Sequence, residues 1–228
     1  YTVSSKGFGP QRRAERDVST TYDYVIIGAG SAGCAIAARL AADGKARVLL
    51  LEAGGPDDTQ WIRKPGMIAL VHQIEQLKKK FDWGYKTVPQ KHMDNRKLQY
   101  TRGRVMGGSS AVNGLLYLRG NAANYDSWAA EGNTGWSYRD VLAMYKRLEA
   151  HQDGESEWHG GSGPIRISKH DDVDPISHRF MKAVSDVCGV PIIDDFNGAS
   201  QEGASLFQMS ASGGLRYSTS IGYLAPLV

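Results

Sequence analysis

The sequence contains little cysteine, and its two thiols are far apart. Cys34 and Cys188 are the only cysteines in 228 residues, and both fall in segments with a helical pattern. A secreted disulfide scaffold needs several cysteines, and a metal or redox site of the CxxC type needs closely spaced pairs. The pattern excludes both classes. It favours a reducing compartment and therefore predicts a cytoplasmic location.

Long apolar runs and a strong net charge are also absent. No segment approaches the roughly 18 apolar residues of a membrane span, and residues 1–21 lack the apolar core of a signal peptide. Because this segment mixes both charges, we predict a solvated N-terminal arm. The formal net charge of +3 argues against a polybasic nucleic-acid-binding surface. At about 150 residues per domain, the chain is expected to form one large domain or one and a half.

Glycine, by contrast, is abundant. The chain has 27 glycines without the three-residue period of collagen, so they must serve particular loops. The first group lies in a βαβ pattern. Residues 22–27 predict a buried parallel strand, residues 31–43 a helix that ends at Gly44, and residues 47–52 a second buried strand.

The loop of this βαβ unit fits the pattern G-x-G-x-x-G. Gly28 allows a tight turn, Gly30 leaves space for a diphosphate, and Gly33 lets the helix pack against the strand. The N–H groups at the start of the helix, at Ser31 and Ala32, would hold the diphosphate. The alternative is a turn whose glycines serve packing alone.

An acidic residue and a cysteine accompany this loop. Glu52, at the end of the second strand, can accept hydrogen bonds from a ribose diol, and its charge disfavours a 2′-phosphate. Cys34 follows the last glycine and could be read as a nucleophile. We predict instead that it is a small core residue beneath the sheet.

A second glycine-rich stretch, residues 103–114, reads Gly-Arg-Val-Met-Gly-Gly-Ser-Ser-Ala-Val-Asn-Gly. Together with the first loop it resembles the glucose-methanol-choline (GMC) oxidoreductases, which are FAD enzymes, and more loosely their choline dehydrogenase-like members. The resemblance runs from Tyr22 to the C-terminus. It includes Leu51-Glu52-Ala53-Gly54, Tyr117-Leu118-Arg119-Gly120, His159-Gly160-Gly161-Ser162-Gly163-Pro164, Asp195-Phe196-Asn197-Gly198 and Arg216-Tyr217-Ser218.

The resemblance implies further cofactor contacts. They are Val105, Gly108, Ser109, Asn113, Gly114 and Leu116, which would line FAD between its pyrophosphate and its ring. Ser and Asn donors there could stabilise negative charge on a reduced flavin; simple turn chemistry is the alternative for Ser109 and Asn113. Family members with covalent flavin carry a histidine where this chain has Tyr100, so non-covalent FAD is expected.

The resemblance implies that the catalytic pair, a His with a second His or Asn, lies in a C-terminal half beyond Val228. None of the six histidines lies near a motif that would make it a base beside a flavin, and we predict that His159 is a loop or strand-start residue. No catalytic residue is therefore assigned in this chain. The remainder of the site is expected from a continuation of the chain or from a second chain.

Other local patterns complete the predicted architecture. Residues 67–80 predict an amphipathic helix, a candidate lid. Trp83, Tyr85, Trp128 and Trp136 are candidates for an aromatic substrate wall; we expect Trp128 and Trp136 to pack beneath helices of the substrate region, and Trp83 is the better candidate. Ser137 and Asp140 form a capping-box pattern for a helix through Glu149. A further helix is expected from Asp174-Pro175 to Gly189, and a strand over residues 164–168.

These expectations define one fold and one function. The fold is α/β, a Rossmann-like parallel FAD-binding sheet with an interleaved, incomplete α+β substrate domain. Residues 1–21 form the arm, 22–118 the FAD-binding domain and 119–228 the start of the substrate domain. By resemblance, the whole enzyme would oxidise an alcohol, with a histidine base taking the hydroxyl proton and hydride passing to flavin N5. The alternatives are a lyase or photodecarboxylase with the same FAD site, or a non-catalytic dinucleotide-binding module. No metal, membrane span or nucleic-acid partner is expected.

Overall fold

The computed structural model describes residues 21–227 in full and the backbone of residues 2–4 and 7–9. The chain divides into two compact units, one of residues 1–114 with 213–228 and one of residues 115–212. The predicted boundary between residues 118 and 119 therefore differs from the observed division. The C-terminal segment returns to the first unit because its polar side chains are bonded there, as described below.

The first unit contains the predicted βαβ pattern. Strand β1 (Thr2–Ser4), β2 (Gly7–Gly9), β3 (Tyr24–Ile27), helix α1 (Ser31–Ala41) and β4 (Val48–Leu51) follow in order. The sheet has the strand order β2-β1-β4-β3, with β3 and β4 parallel and in register from Tyr24 opposite Val48 to Ile27 opposite Leu51. The βαβ unit and the α/β class are thus confirmed.

Two expectations about this sheet need correction. Strand β3 lies at the edge of the sheet among the described residues, so Val25 is 55% and Ile27 86% exposed and the strand is not buried. Strand β1 pairs antiparallel with both β2 and β4, so these segments of the predicted arm are strands. The remainder of the arm lies outside the described residues.

Four short helices follow β4. They are α2 (Gln60–Arg63), a 3₁₀ turn (Pro65–Met67), α3 (Ile68–Gln73) and α4 (Glu75–Phe81). The single predicted helix over residues 67–80 is broken at Ile74, whose backbone is extended. In one straight helix Val71 and Phe81 would point about 80° apart, at 3.6 residues per turn. The break allows both side chains to enter one buried cluster with Ile62, Val105, Ala111 and Val112.

The second unit contains two small two-stranded sheets, one further short strand and three helices. Its elements are β5 (Leu116–Tyr117), α5 (Ala122–Ala130), α6 (Tyr138–Leu148), β6 (Glu149–His151), β7 (Ile165–Ile167), α7 (Pro175–Cys188), β8 (Gln208–Met209) and β9 (Ala211–Ser212). Strand β5 pairs antiparallel with β8, and β6 pairs parallel with β7. The last strand, β10 (Leu215–Arg216), belongs to the first unit.

The local start and stop signals of this unit are confirmed. Ser137 and Asp140 make both hydrogen bonds of a capping box at the start of α6. Asp174 caps α7, and Gly189 ends it in the left-handed conformation at φ +68°. These signals were readable because a helix cap involves residues only a few positions apart.

Among the helices of the described residues, none is both long and apolar enough to cross a membrane. The same part of the chain holds no group of three or more His, Cys, Asp or Glu side chains arranged to bind a metal ion.

Candidate functional site

The first glycine loop connects β3 to α1, and each glycine has its own geometry. Gly28 adopts φ +96°, which favours glycine. A Cβ on Gly33 would lie 1.9 Å from the carbonyl oxygen of Gly28, whereas one on Gly30 would meet no atom of the chain within 4 Å. Gly33 therefore serves the packing of helix on strand, and Gly30 faces open space.

The N-terminus of α1 is open for a ligand. Gly30 is the N-cap residue, and no side chain caps this 11-residue helix. The first N–H groups of a helix have no partner within the helix, and the helix dipole makes this end positive. Ser31 and Ala32 are exposed in the first turn. This arrangement suits an anion such as a diphosphate.

Glu52, just after β4, braces the loop. Its Oε2 accepts a hydrogen bond from the N–H of Ala29 at 2.8 Å, and its Oε1 accepts one from the N–H of Gly54 at 2.7 Å. The carboxylate is only partly buried and lines the adjoining pocket. Because each carboxylate oxygen accepts more than one hydrogen bond, Glu52 can hold the loop and bind a hydroxyl at the same time.

The second glycine loop packs directly against the first. The N–H of Gly107 donates to the carbonyl oxygen of Ala29 at 2.8 Å. A Cβ on Gly108 would lie 2.7 Å from the Cα of Gly30, and one on Gly103 would lie 2.2 Å from the carbonyl oxygen of Gly108. A side chain on Gly108 would therefore force the two loops apart, and one on Gly103 would distort the second loop itself.

A pocket of about 880 Å³ lies where these loops meet. Its lining includes six of the residues predicted to bind the cofactor: Gly28, Gly30, Ser31, Glu52, Gly108 and Ser109. It also includes Ile27, Leu51, Ala53, Trp83, Tyr85, Arg102 and Gly103, which the cofactor assignment omitted.

The other predicted cofactor residues are placed differently. Gly33 and Val105 are buried, while Ala32, Asn113 and Gly114 are exposed near the loops in the chain. Leu116 belongs to the second unit and is 59% exposed in β5. Their contacts with a cofactor remain predictions.

Trp83 and Tyr85 form one wall of the pocket. They lie on an antiparallel ladder in which the N–H of Trp83 donates to Arg102 and that of Tyr100 donates to Tyr85. Gly84 between them adopts φ +73°, and the two rings stack with 6.1 Å between their centroids. Trp83, predicted for a substrate wall, thus lines the same pocket as Glu52. Tyr85, another candidate for that wall, also lines the pocket.

Arg102 packs on a third aromatic ring, that of Tyr100. Its guanidinium lies 3.8 Å from the centroid of the Tyr100 ring, and the residue lines the pocket. The family resemblance places Tyr100 where members with covalent flavin would carry a histidine. A phenol has no imidazole nitrogen that could bond to a flavin, which agrees with the expectation of non-covalent FAD. That expectation stays a prediction.

The segment Arg216–Ser220 anchors the second loop, a role that sequence reasoning missed. Ser218 Oγ donates to Asp57 Oδ2 at 2.5 Å, and Ser220 Oγ also donates to this buried carboxylate. The N–H of Thr219 donates to Ser110 Oγ at 3.0 Å, and Ser110 Oγ donates to the carbonyl oxygen of Gly107 at 2.6 Å. The one feature of the sequence that pointed to this segment was the resemblance of Arg216-Tyr217-Ser218 to the family.

Cys34 is a core residue, as predicted. Its side chain is fully buried, and Sγ donates to the carbonyl oxygen of Ala29 at 3.1 Å. Burial raises the pKa of this thiol to about 11. A protonated, enclosed thiol is a poor nucleophile.

No histidine is found among the residues that line the pocket in the described part of the chain. His159 lies in the second unit, where it is buried between two carboxylates. Its Nδ1 is 2.8 Å from Glu149 Oε1, and its Nε2 is 2.5 Å from Asp195 Oδ2. Arg119 Nη2 donates to the same Glu149 oxygen at 2.7 Å. This network joins the start of β6 to three loops of the unit, those of Arg119, His159 and Asp195.

Both ring nitrogens of His159 face carboxylate oxygens, which only accept hydrogen bonds when ionised. Burial alone would lower the pKa of His159, but the bonds to Asp195 and Glu149 outweigh it and raise the pKa to about 9. Burial would raise the pKa of Glu149, but the hydrogen bond from His159 and the charge and hydrogen bond of Arg119 lower it to about 2. His159 is therefore a charged structural bridge at neutral pH.

Comparison with known proteins agrees with this geometry. A family profile described as GMC oxidoreductase matches residues 22–228. Oxygen-dependent choline dehydrogenase of Photobacterium profundum is 42% identical over 209 residues, which cover 91% of this chain and 36% of that protein. The enzyme of the same name from Sinorhizobium fredii is 39% identical over 204 residues, covering 90% of this chain and 36% of that protein.

Solved structures show the same fold. Pyridoxine 4-oxidase from Mesorbium loti superimposes with a TM-score of 0.81 at 30% identity, covering 90% of this chain and 39% of that one. Formate oxidase from Aspergillus oryzae gives 0.76 at 26% identity, covering 88% and 36%. The chain thus spans little more than a third of the length of the relatives it matches.

Proposed function

The chain belongs to the GMC oxidoreductase family, and from this premise we propose that it is the FAD-binding part of an enzyme that oxidises an alcohol CH–OH group. The observation that carries the proposal is the pocket between the two glycine loops. Three features of it fit a flavin dinucleotide: the uncapped start of α1, the Glu52 carboxylate and the close approach of Gly108 to Gly30. When bound, FAD supplies the acceptor for the hydride that leaves the alcohol carbon.

The residues of the chain have distinct parts in this function. The first N–H groups of α1 bind the diphosphate, and Gly30 leaves room for it because no Cβ occupies the open space there. Glu52 accepts hydrogen bonds from the ribose hydroxyls while it braces Ala29 and Gly54. Ser109 and Asn113 direct polar groups of the second loop towards the flavin, and the rings of Trp83 and Tyr85 exclude water from the pocket.

The proton acceptor is proposed to come from outside these 228 residues, either from a continuation of the chain or from a second polypeptide. Two observations support this. The pocket lining of the described residues includes no histidine, and His159 has both ring nitrogens engaged by carboxylates.

We place the protein in the reducing cytoplasm, a proposal supported by its two free thiols, one of which, Cys188, is exposed.

A visible absorption spectrum of the protein, expressed at its full natural length, tests the cofactor. We expect a yellow protein that releases FAD on acid precipitation, since Tyr100 cannot form the histidyl bond. A colourless protein that binds NAD would overturn the proposal. Flavin retained on the precipitate would contradict only its non-covalent part.

Anaerobic mixing with alcohols tests the reaction. Choline and pyridoxine are the first to try, because relatives are named for them. Loss of the oxidised flavin absorbance on mixing is the expected result. Bound FAD that no alcohol reduces would favour a lyase, a photodecarboxylase or a non-catalytic module instead.

A further inference from the structure

Arg216 is a buried arginine whose hydrogen-bond partners among the described residues are all neutral. It is completely inaccessible to solvent. Its Nε donates to the carbonyl oxygen of Ile62 at 3.1 Å, and its Nη1 donates to that of Ser110 at 3.1 Å. Within the described residues, none of its hydrogen-bond acceptors is a carboxylate. Burial lowers the pKa of this guanidinium to about 10, so the charge is kept at a cost in desolvation.

Two further bonds of Arg216 converge on Asn113. Nη1 donates to the side-chain Oδ1 at 2.7 Å, and Nη2 donates to the backbone oxygen at 2.8 Å. A guanidinium has five N–H donors in a planar fork and no acceptor. It therefore selects one orientation of the Asn113 amide: Oδ1 must face the guanidinium, and the two Nδ2 hydrogens point away from it.

We propose that Arg216 is a positioning residue for the cofactor: it fixes the amide of Asn113 so that Nδ2 is presented as a hydrogen-bond donor to the bound flavin. This inference rests on the proposed function, which makes Asn113 a flavin contact. Asn113 is exposed at the end of the second loop, and with two Nδ2 hydrogens it can donate to a ligand in addition to the chain.

The geometry explains why an arginine is buried here. Lysine has three donors on a single nitrogen and cannot span the backbone and side-chain oxygens of Asn113 together with two other carbonyls. An apolar side chain would leave these buried carbonyls without donors, at a cost comparable to a lost hydrogen bond for each. The fork thus joins α2, the second loop and the C-terminal segment at one point.

The first test concerns the orientation of the amide and needs no cofactor. In the full-length protein, Asn113→Asp keeps acceptor oxygens for Arg216, whereas Asn113→Leu has a similar size and none. We expect Asn113→Asp to retain the wild-type melting temperature of the FAD-free protein and Asn113→Leu to lower it. Equal melting temperatures for the two variants would show that Arg216 does not hold the Asn113 side chain and would overturn the proposal.

The second test concerns the cofactor. Asn113→Asp removes the Nδ2 donor, and Arg216→Lys keeps a positive charge but loses the fork. Both should weaken FAD binding about ten-fold, the effect of 1.4 kcal/mol, and shift the visible band of bound flavin. The exposed Arg39→Lys is the matched control and should bind FAD as the wild type does.

The double variant that combines Asn113→Asp with Arg216→Lys shows whether Arg216 acts by positioning Asn113 or only by packing. If Arg216 acts through Asn113, the combined loss of affinity should be smaller than the product of the single losses. Independent effects, or wild-type affinity and spectrum in Arg216→Lys, would contradict the proposal. Should Arg216→Lys fail to fold, FAD affinity of Asn113→Asp decides, and an unchanged value overturns it. If the wild-type protein contains no FAD, the proposed function is refuted. The melting temperatures of Asn113→Asp and Asn113→Leu would still test whether Arg216 holds the Asn113 side chain.

Discussion

The N–H of Gly107 donates to the carbonyl oxygen of Ala29 at 2.8 Å and so joins the two glycine loops through their backbones. Backbone-to-backbone contact at this point requires that Gly108 carry no side chain, because a Cβ there would lie 2.7 Å from the Cα of Gly30. The close approach of the two loops therefore depends on the glycine at position 108, while Gly30 and Gly33 have different parts in the first loop. Substitutions at single glycines can separate binding from folding.

Gly30→Ala and Gly33→Ala form such a matched pair. Gly30 has φ −76°, which alanine adopts freely, and its Cβ would enter open space. We expect Gly30→Ala to fold normally and to lose FAD affinity. Gly33→Ala should lower the free energy of unfolding by roughly 1–3 kcal/mol, the usual cost of overpacking. Thermal melts and FAD titrations check both; normal FAD binding by Gly30→Ala would show that no ligand approaches there.

Glu52→Gln should weaken FAD binding. The amide keeps one acceptor oxygen, so it cannot hold Ala29, Gly54 and a ribose diol as the carboxylate does. A hydrogen bond to a charged group contributes about 1.5–3 kcal/mol, which corresponds to roughly ten-fold to hundred-fold in the dissociation constant. Asp43→Asn, an exposed change in the same unit, is the control for an equilibrium titration. Unchanged affinity would mean that Glu52 does not contact the cofactor.

The bridge at His159 predicts a loss of stability in alkaline solution. The pKa of His159 is raised to about 9 in the folded chain, against about 6.5 in an unfolded one. Its contribution is therefore complete below about pH 6.5 and is lost as the pH rises through 9. The loss should be on the order of 3 kcal/mol.

Urea unfolding of the wild type and of His159→Gln between pH 6 and 10 measures this effect. The wild type should lose stability over that range more steeply than the variant. The exposed His178→Gln should follow the wild type. Parallel curves for His159→Gln and the wild type would show that the imidazole does not carry the charge.

The edge of β3 predicts self-association of residues 1–228 expressed alone. Val25 and Ile27 are exposed on a strand that pairs on one side only among the described residues, and such edges recruit other strands. Val25→Lys should raise the monomer fraction in sedimentation several-fold, whereas Gln73→Lys adds the same charge elsewhere and should not. A monomeric wild-type chain with a cooperative melt would contradict the prediction.

Much of the local structure could be predicted from the sequence. The strand, loop and helix around Gly28–Gly33, the capping box at Ser137 and the left-handed stop at Gly189 all depend on residues close together in the chain. Their periodicity and cap chemistry are therefore visible without a fold. The same spacing placed Glu52 beside the first loop, because the carboxyl ends of adjacent parallel strands meet at one edge of a sheet.

Only the tertiary structure decided how distant segments meet. Val71 and Phe81 share one core cluster because the helix breaks at Ile74, an outcome that the amphipathic pattern of residues 67–80 did not encode. Arg216 reaches Asn113, and His159 lies between Glu149 and Asp195, through contacts between segments far apart in sequence. A side chain's type states which bonds it can make, but burial and direction select its partner. The sequence by itself determined the loops and their chemistry, whereas packing determined which groups hold those loops in place.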